Sequence, residues 1–305
     1  MASRVVATGP ESSVADALRS GRSRLGLSRT PTLDVEVLLA HVLGRDRAWL
    51  IAHAEDRVPR DALARFEDLV SRRARGEPVA YLRGFVEWFG LRLNVDPRVL
   101  IPRPETELLT EKAIAAARQM GAGRAVDVGT GSGAIAIAMA AALPDMRVDA
   151  VDASADALAM AKENAERSGV AEQISFLHGS LLEPVTSEPQ LIVANLPYLS
   201  DEMMEQLDRD VRYEPGGALH GGVSGLEVYG ALLRQIGALG IVVPVFVEID
   251  PRQSTGVRAL VSSLLPGWDS AVEQDYAGHD RIVRLWPIER PEYPAKTAKD
   301  SLHGE

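Results

Sequence analysis

The sequence contains no cysteine among its 305 residues. Disulfide bonds, thiolate zinc sites and thiol nucleophiles are therefore excluded from any function proposed for it. The sequence also has no run of about 18 apolar residues, and no apolar run follows a basic segment near its start. We therefore expect a soluble, cytoplasmic protein that is not bound to a membrane.

Basic residues are scarce in the larger part of the chain. Residues 1–100 contain 16 arginines, no lysine and 13 acidic residues, whereas residues 101–305 contain 17 basic and 30 acidic residues. A protein that binds nucleic acid normally presents a basic face to the phosphate backbone. The acidic excess therefore weighs against a direct nucleic-acid substrate.

The spacing of apolar residues divides the chain into four regions. Residues 1–83 have apolar side chains at three- and four-residue intervals, which predicts a small helical bundle typical of a recognition domain. Residues 84–101 alternate apolar and polar side chains, which predicts a hairpin that links two domains. Residues 102–288 form the predicted catalytic domain, and residues 289–305 are rich in proline and charge, which predicts a loose tail.

Strand and helix patterns alternate within the catalytic domain. "IPRPETELL" predicts a helix that starts at Glu105 or Thr106. The predicted strands are 125–128, 147–151, 174–177, 191–194, 243–249 and 281–285, and the predicted helices are 134–142, 155–168, 225–238 and 252–264. This alternation predicts an α/β fold with a mostly parallel sheet covered on both faces.

The stretch "AVDVGTGSGAIAIAMA" leads from a strand through a glycine turn into a helix. Gly129, Gly131 and Gly133 allow a tight turn and close approach of a ligand, and the helix presents its free N–H groups. Asp152 ends the next strand and is placed to bind ribose hydroxyls. The pattern indicates an adenosine-containing cofactor, and it also satisfies the fingerprint of dinucleotide-binding proteins.

An acidic side chain inside the first apolar strand narrows the choice of cofactor. Asp127 lies two residues before Gly129, where burial of an unpaired carboxylate is costly. Either it holds backbone amides of the glycine loop, or it helps to bind a cationic ligand such as S-adenosylmethionine. A pyrophosphate would be repelled by an acid at this position.

The motif "NLPY" follows the predicted strand 191–194 and supplies amide chemistry without a strong acid, base or nucleophile. Ligands of open α/β sheets bind beyond the carboxyl ends of the strands, so the motif and the glycine loop are expected to line one crevice. The Asn195 carboxamide oxygen and a backbone carbonyl can each accept one hydrogen of an NH2 group. This arrangement would turn the nitrogen lone pair toward a methyl donor.

Several long motifs occur in an order that resembles the peptide chain release factor glutamine methyltransferases, the HemK family. The motifs are "GEPVAYLRG", "FGLRLNVDPRVLIPRPETELL", "VDVGTGSGAIAIA", "NLPYLS", "DVRYEP", "GLEVYGALL" and "YAGHDRIV". The resemblance implies a class I methyltransferase fold, with a seven-stranded sheet whose last strand is antiparallel, after a helical domain. It also implies methyl transfer from S-adenosylmethionine to the side-chain amide of the glutamine in the Gly-Gly-Gln motif of class I release factors, free or ribosome-bound.

The resemblance also implies site residues, and no metal ligands are among them. The implied cofactor-binding residues are Asp127, Gly129, Thr130, Gly131, Ser132, Gly133, Asp152, Ser180 and Asn195. The implied catalytic residues are Asn195, Leu196, Pro197 and Tyr198. The sequence departs from the family pattern at Leu196 (usually Pro), Ser180 (usually an acid), Ser224 (usually Asp) and Asp250 (usually Gly).

Three alternatives stay open at this point. A nucleic-acid adenine N6-methyltransferase would meet the same chemical problem with the same motif, and it would have to accept an extruded base. A ribosomal-protein glutamine methyltransferase would share every catalytic residue. A methyl-donor-binding protein without turnover would bind the cofactor and release no methylated product.

Overall fold

The computed structural model describes residues 12–288, which form two compact units. The first unit contains the described residues through Val86 together with Asn94–Ile101 and Leu207–Pro215. The second contains Glu87–Leu93, Pro102–Gln206 and the described residues from Gly216 onward. The predicted tail, 289–305, lies outside the described residues. No helix within 12–288 combines the length and the apolar character needed to cross a membrane.

The first unit contains the predicted helical bundle. Its helices are α1 (Val14–Arg24), α2 (Pro31–Leu43), α3 (Arg47–Ala52), α4 (Arg60–Ala74) and α5 (Val79–Arg83). The apolar stripe of each longer helix faces a shared core, in which Leu38, Leu39 and Val70 have no exposed surface. Burial of these stripes stabilises helices that would be marginal in isolation.

The segment Leu207–Pro215 joins the first unit through polar contacts. Arg73 forms an ion pair with Asp34, with 2.6 Å between Nε and Oδ2, and its Nη2 lies 3.7 Å from Oδ2 of Asp210. The Tyr213 hydroxyl donates to the Arg75 carbonyl at 3.3 Å. The sequence pattern gave no sign of this assignment, because contacts between such distant residues leave no periodic signal.

The predicted hairpin is present as β1 (Phe85–Trp88) and β2 (Leu91–Asn94). Its two-residue turn consists of Phe89 and Gly90, which have φ angles of 50° and 72°. Two positive φ values are typical of the tight turns that connect antiparallel strands. Phe89 therefore belongs to the turn of the hairpin and not to either strand.

The second unit contains a seven-stranded sheet in the order β5-β4-β3-β6-β7-β9-β8. These strands are β3 (Arg124–Val128), β4 (Arg147–Asp152), β5 (Ile174–His178), β6 (Leu191–Ala194), β7 (Val245–Glu248), β8 (Trp268–Gln274) and β9 (Asp280–Pro287). The last strand of the described chain, β9, points in the direction opposite to the other six strands of this sheet. This topology confirms the expected class I methyltransferase fold, although β8 was not predicted.

Helices cover both faces of this sheet, as predicted. The helices of this unit are α6 (Pro104–Met120), α7 (Ala134–Ala142), α8 (Ala155–Arg167), α9 (Asp201–Glu205), α10 (Glu227–Ala238) and α11 (Ser254–Leu264). The first of these begins at Pro104, with Arg103 as its N-cap, so Glu105 and Thr106 lie inside its first turn. The order of strands reverses between β3 and β6, and a crevice is expected at their carboxyl ends.

Candidate active site

The glycine loop connects β3 to α7 at the carboxyl edge of the sheet. The backbone N–H groups of Gly129 and Thr130 both donate to the Val151 carbonyl at 2.9 Å. Gly129, Gly131 and Gly133 all have positive φ angles, and a Cβ at Gly133 would lie 3.1 Å from the Ala161 Cβ. Thr130 and Ser132 are buried, and the Thr130 hydroxyl donates to Asp127 beneath the loop.

Asp152 ties the end of β4 to the glycine loop. Its Oδ2 accepts a hydrogen bond from the Gly131 N–H at 2.8 Å, and its Oδ1 accepts one from the Ser154 N–H at 2.9 Å. Burial raises the pKa of this carboxyl, and the bonds to Ser154 and Gly131 oppose the rise. Each oxygen retains a lone pair for a ligand hydroxyl.

Asp127 lies beneath the loop and has no exposed surface. Its Oδ2 accepts hydrogen bonds from the Thr130 hydroxyl at 2.7 Å and the Ala136 N–H at 3.1 Å. Its Oδ1 has no hydrogen-bond partner within the described residues. Burial raises the pKa of the carboxyl to about 7. These contacts agree with the first of the two roles considered above, in which Asp127 holds the glycine loop. An interaction of Asp127 with a cationic ligand stays a prediction.

Ser180 lies in the loop after β5, next to Asp152. The preceding residue, Gly179, donates its N–H to the Asp152 carbonyl at 3.1 Å, and Ser180 itself is exposed. Leu181 has a φ of 54°, which is unusual for a residue with a side chain. The structure therefore brings Ser180, Asp152 and the glycine loop to one edge of the sheet.

The "NLPY" motif lies beside the glycine loop, because β3 and β6 are parallel neighbours that pair Val128 with Ala194. A Cβ at Gly129 would lie 3.5 Å from the Asn195 carbonyl oxygen and 3.4 Å from Cδ2 of Leu196. Leu196 is only 3% exposed, and its side chain belongs to the core of the sheet. The residue that departs from the family pattern thus contributes packing through its side chain.

Tyr198 and Leu199 are held by Gln253 and by the loop 219–225. The Tyr198 carbonyl accepts a hydrogen bond from Nε2 of Gln253 at 2.8 Å. The Leu199 N–H donates to the Leu219 carbonyl, and the Gly221 N–H donates to the Leu199 carbonyl, both at 2.9 Å. Burial raises the pKa of the Tyr198 hydroxyl to about 12, and the charge of Glu248 adds to the rise. Tyr198 therefore stays neutral near pH 7.

The two remaining departures from the family pattern have local partners. The Ser224 hydroxyl donates to Oε2 of Glu227 at 3.1 Å, within the loop that holds the motif. Asp250 accepts hydrogen bonds from the backbone N–H and the guanidinium of Arg252, at 3.0 and 2.7 Å. Both residues thus stabilise turns at the carboxyl edge.

The Asn195 carboxamide makes a contact that sequence reasoning missed. Its Nδ2 donates to the Thr106 hydroxyl at 3.0 Å, although the two residues are 89 positions apart. Thr106 lies in the first turn of α6 and is 4% exposed. The motif "PRPETE" marked this segment, but the sequence indicated only a helix start.

Glu248 is the second residue that was missed. It ends β7, is 3% exposed, and hydrogen-bonds through its carboxyl group to the Thr106 side chain. Its Oε2 has no partner within residues 12–288. Burial raises the pKa of this carboxyl to about 7, although the Thr106 hydrogen bond lowers it. An acid in the apolar strand "VFVE" is the same signal that identified Asp127.

Comparison with known proteins identifies the family. Residues 16–84 match the model of the PrmC N-terminal domain, and residues 105–209 match that of the methyltransferase small domain. A protein named release factor glutamine methyltransferase from Deinococcus radiodurans is 38% identical over 258 residues, which cover 84% of this chain and 91% of that protein. The chain belongs to the release factor glutamine methyltransferase family.

Other members agree with this assignment and confirm the resemblance seen in the motifs. The family member from Bordetella pertussis is 41% identical over 236 residues, which are 76% of this chain and 86% of that protein. The Escherichia coli member is 33% identical over 268 residues, which are 87% of this chain and 96% of that protein.

Solved structures agree on the fold. The human Mettl16 catalytic domain, crystallised with the MAT2A 3'UTR hairpin 6, has a TM-score of 0.54 and 14% identity. The match covers 78% of this chain and 84% of that domain. At this identity the likeness shows the methyltransferase fold alone.

Proposed function

We propose that this chain transfers a methyl group from S-adenosylmethionine to N5 of the glutamine side chain in the Gly-Gly-Gln motif of class I release factors. The observation that carries the proposal is the position of the Asn195 carboxamide. It lies at the carboxyl end of β6, beside the glycine loop, and its Nδ2 group already donates a hydrogen bond to the Thr106 hydroxyl. Its oxygen therefore remains as an acceptor for a substrate N–H.

The groups around the glycine loop fit S-adenosylmethionine. Asp152 would accept hydrogen bonds from the ribose hydroxyls, and Ser180 would contact the adenine. The buried Asp127, with its unpartnered Oδ1, favours a positively charged ligand over a pyrophosphate. When bound, the cofactor supplies a methyl group on a positively charged sulfur.

The "NLPY" motif would hold the substrate amide. Oδ1 of Asn195 and the main-chain carbonyl of Leu196 would each accept one amide hydrogen, which orients the nitrogen toward the methyl group. The Tyr198 ring would form a flat wall, and Pro197 would stiffen the turn. Positioning of this kind can lower a barrier by up to about 7–11 kcal/mol. Both acceptors also stabilise the positive charge that develops on the nitrogen, before its proton is lost to water.

The proposal also assigns roles to the partner and to the first domain. Residues 1–83 would recognise the release factor as a folded protein, and the reaction would take place in the cytoplasm without a nucleic-acid substrate or a membrane. A short Gly-Gly-Gln peptide should then be methylated with a much lower kcat/KM than the whole release factor. Equal kcat/KM values would contradict a recognition role for this domain.

The variant Asn195→Ala tests the proposed chemistry. At saturating S-adenosylmethionine, with a purified release factor as substrate, its turnover should fall about 10²–10³-fold, as expected for the loss of one preorganised hydrogen-bonding group. Ser180→Ala is the contrasting variant, and it should raise KM for S-adenosylmethionine while kcat stays near that of the wild type. Near-normal turnover of Asn195→Ala would remove Asn195 from the mechanism.

A further inference from the structure

Three side chains from three separate elements are linked by hydrogen bonds, and two of them, Thr106 and Glu248, are buried. Asn195 follows β6, Thr106 lies in the first turn of α6, and Glu248 ends β7. Nδ2 of Asn195 donates to the Thr106 hydroxyl at 3.0 Å, and the Thr106 side chain hydrogen-bonds to the Glu248 carboxyl. Thr106 and Glu248 are 4% and 3% exposed, so water has little access to either contact.

The number of hydrogens on each group decides which group donates and which accepts in these hydrogen bonds. A threonine hydroxyl has one hydrogen, and an ionised carboxylate can only accept. When Glu248 is ionised, the Thr106 hydrogen is therefore committed to Glu248, and the Thr106 oxygen is left as an acceptor. Only the nitrogen of the Asn195 carboxamide can satisfy that acceptor, so Oδ1 must occupy the opposite position.

We propose that Glu248, acting through Thr106, is a positioning residue that fixes which way the Asn195 carboxamide faces. The inference rests on the proposed role of Asn195 as an acceptor for the substrate amide. A reversed carboxamide would present its own NH2 group to the substrate NH2 group. Two donors would then face each other, and the orientation of the substrate nitrogen would be lost.

The surroundings of Glu248 decide the pH range in which it is ionised. Burial raises its pKa to about 7 and Glu105 in the first turn of α6 adds to the rise, whereas the Thr106 hydrogen bond, Arg281 on β9 and Arg103 at the start of α6 oppose it, so Glu248 becomes ionised as the pH rises through about 7. Tyr198 and Tyr229 also lie within electrostatic range, and the Tyr229 hydroxyl donates to the Glu248 main-chain carbonyl at 2.5 Å. A buried carboxylate with a free Oε2 is costly to stability, which fits a group retained for orientation rather than packing.

A matched set of Thr106 variants tests this relay, the hydrogen bonds that link Glu248 through Thr106 to Asn195, in the full-length enzyme. Thr106→Val removes the hydroxyl but keeps the branched shape, and Thr106→Ser keeps the hydroxyl. With a release factor as substrate, we expect Thr106→Val to lower kcat about 10- to 100-fold, by analogy with the loss of side chains that orient metal-binding residues in other enzymes, with little change in S-adenosylmethionine affinity. Thr106→Ser should retain a kcat near that of the wild type. Equal kcat values for the Val and Ser variants would overturn the proposal.

Glu248→Gln tests whether the Glu248 carboxylate sets the donor-to-acceptor direction of these hydrogen bonds. Glutamine has nearly the same size, but its NH2 group can donate to Thr106, so the direction of the chain is no longer imposed. We expect kcat to fall with unchanged cofactor affinity and no loss of thermal stability at pH 8. The double variant Thr106→Val/Glu248→Gln should be no slower than Thr106→Val alone, because both changes interrupt one chain. Normal kcat for Glu248→Gln, or fully additive losses, would contradict the relay.

A measurement without substrate separates the relay from the proposed function. The side-chain NH2 signal of Asn195 in ¹⁵N NMR can be assigned by its loss in Asn195→Ala. It should shift in Thr106→Val and Glu248→Gln but stay close to its wild-type position in Thr106→Ser. An unchanged signal in all three variants would disprove the relay, whereas a wild-type enzyme that fails to methylate release factors would disprove the proposed function.

Discussion

Gly225 is the position at which one added methyl group should disable the "NLPY" motif. Its φ is 78°, and a Cβ there would lie 2.2 Å from the Tyr198 carbonyl oxygen and 2.7 Å from Nε2 of Gln253. Normal contact would require the Tyr198 carbonyl to move by about 1 Å. Because Gln253 donates to both Tyr198 and Gly225, the displacement would pass directly to the loop that carries Asn195.

The expected effect of Gly225→Ala follows from this displacement. A misplacement of about 1 Å can cost about 10²-fold in rate, so kcat for release-factor methylation should fall by roughly that factor. The control is Gly240→Ala, where φ is 63° but no atom lies within 4 Å of the added Cβ. Both variants carry the left-handed backbone penalty of about 1–2 kcal/mol, and only Gly225→Ala carries the collision. Methyl transfer from labelled S-adenosylmethionine, measured at a temperature where both variants stay folded, compares them. Equal kcat values for the two variants would show that the Tyr198 carbonyl does not control the position of Asn195.

Two further predictions concern Leu196 and Asp127. Leu196→Ala should lower the free energy of unfolding by about 2–5 kcal/mol, because it leaves a cavity in the core, while its kcat falls much less than that of Asn195→Ala. Chemical denaturation measures the first effect and methyl transfer the second. A kcat loss as large as that of Asn195→Ala would show that the Leu196 side chain takes part in the reaction. Because Asp127 has a pKa of about 7 and a cationic ligand favours its ionised form, affinity for S-adenosylmethionine should rise as the pH increases through about 7 and fall as the pH decreases. Calorimetry should find this dependence weakened for S-adenosylhomocysteine, which lacks the positive sulfur, and in Asp127→Asn. The same slope in all three titrations would contradict the electrostatic role.

Much of the sheet could be predicted from the sequence, because its central strands are continuous apolar runs bounded by turn residues. The strand Leu191–Ala194 and the helix Ala134–Ala142 begin and end where the patterns placed them. Strand β8, Trp268–Gln274, was missed because its residues are mostly half-buried, so neither alternation nor a continuous apolar run marks it. Segment 207–215 was missed because its partners lie far away in the sequence.

The candidate site shows the same division between local and distant signals. The glycine loop, Asp152 and Asn195 could be proposed from the sequence because each lies at the end of a recognisable strand or directly after it. Glu248 could have been found by the rule that identified Asp127, since both are acids in apolar strands. Thr106 could not be found in this way, because its contact with Asn195 depends on how α6 packs against β6 and β7.

The proposed function is tested most directly by a methyl-transfer assay that offers labelled S-adenosylmethionine with purified release factors, a ribosomal-protein mixture, DNA or RNA. Peptide mass spectrometry then locates the label. We expect label on the side-chain amide of the Gly-Gly-Gln glutamine. Label on a ribosomal-protein glutamine would support the proposed amide methylation but contradict the release factor as partner. Label on nucleic acid would contradict a protein substrate. Cofactor binding without any label would contradict the proposed catalysis.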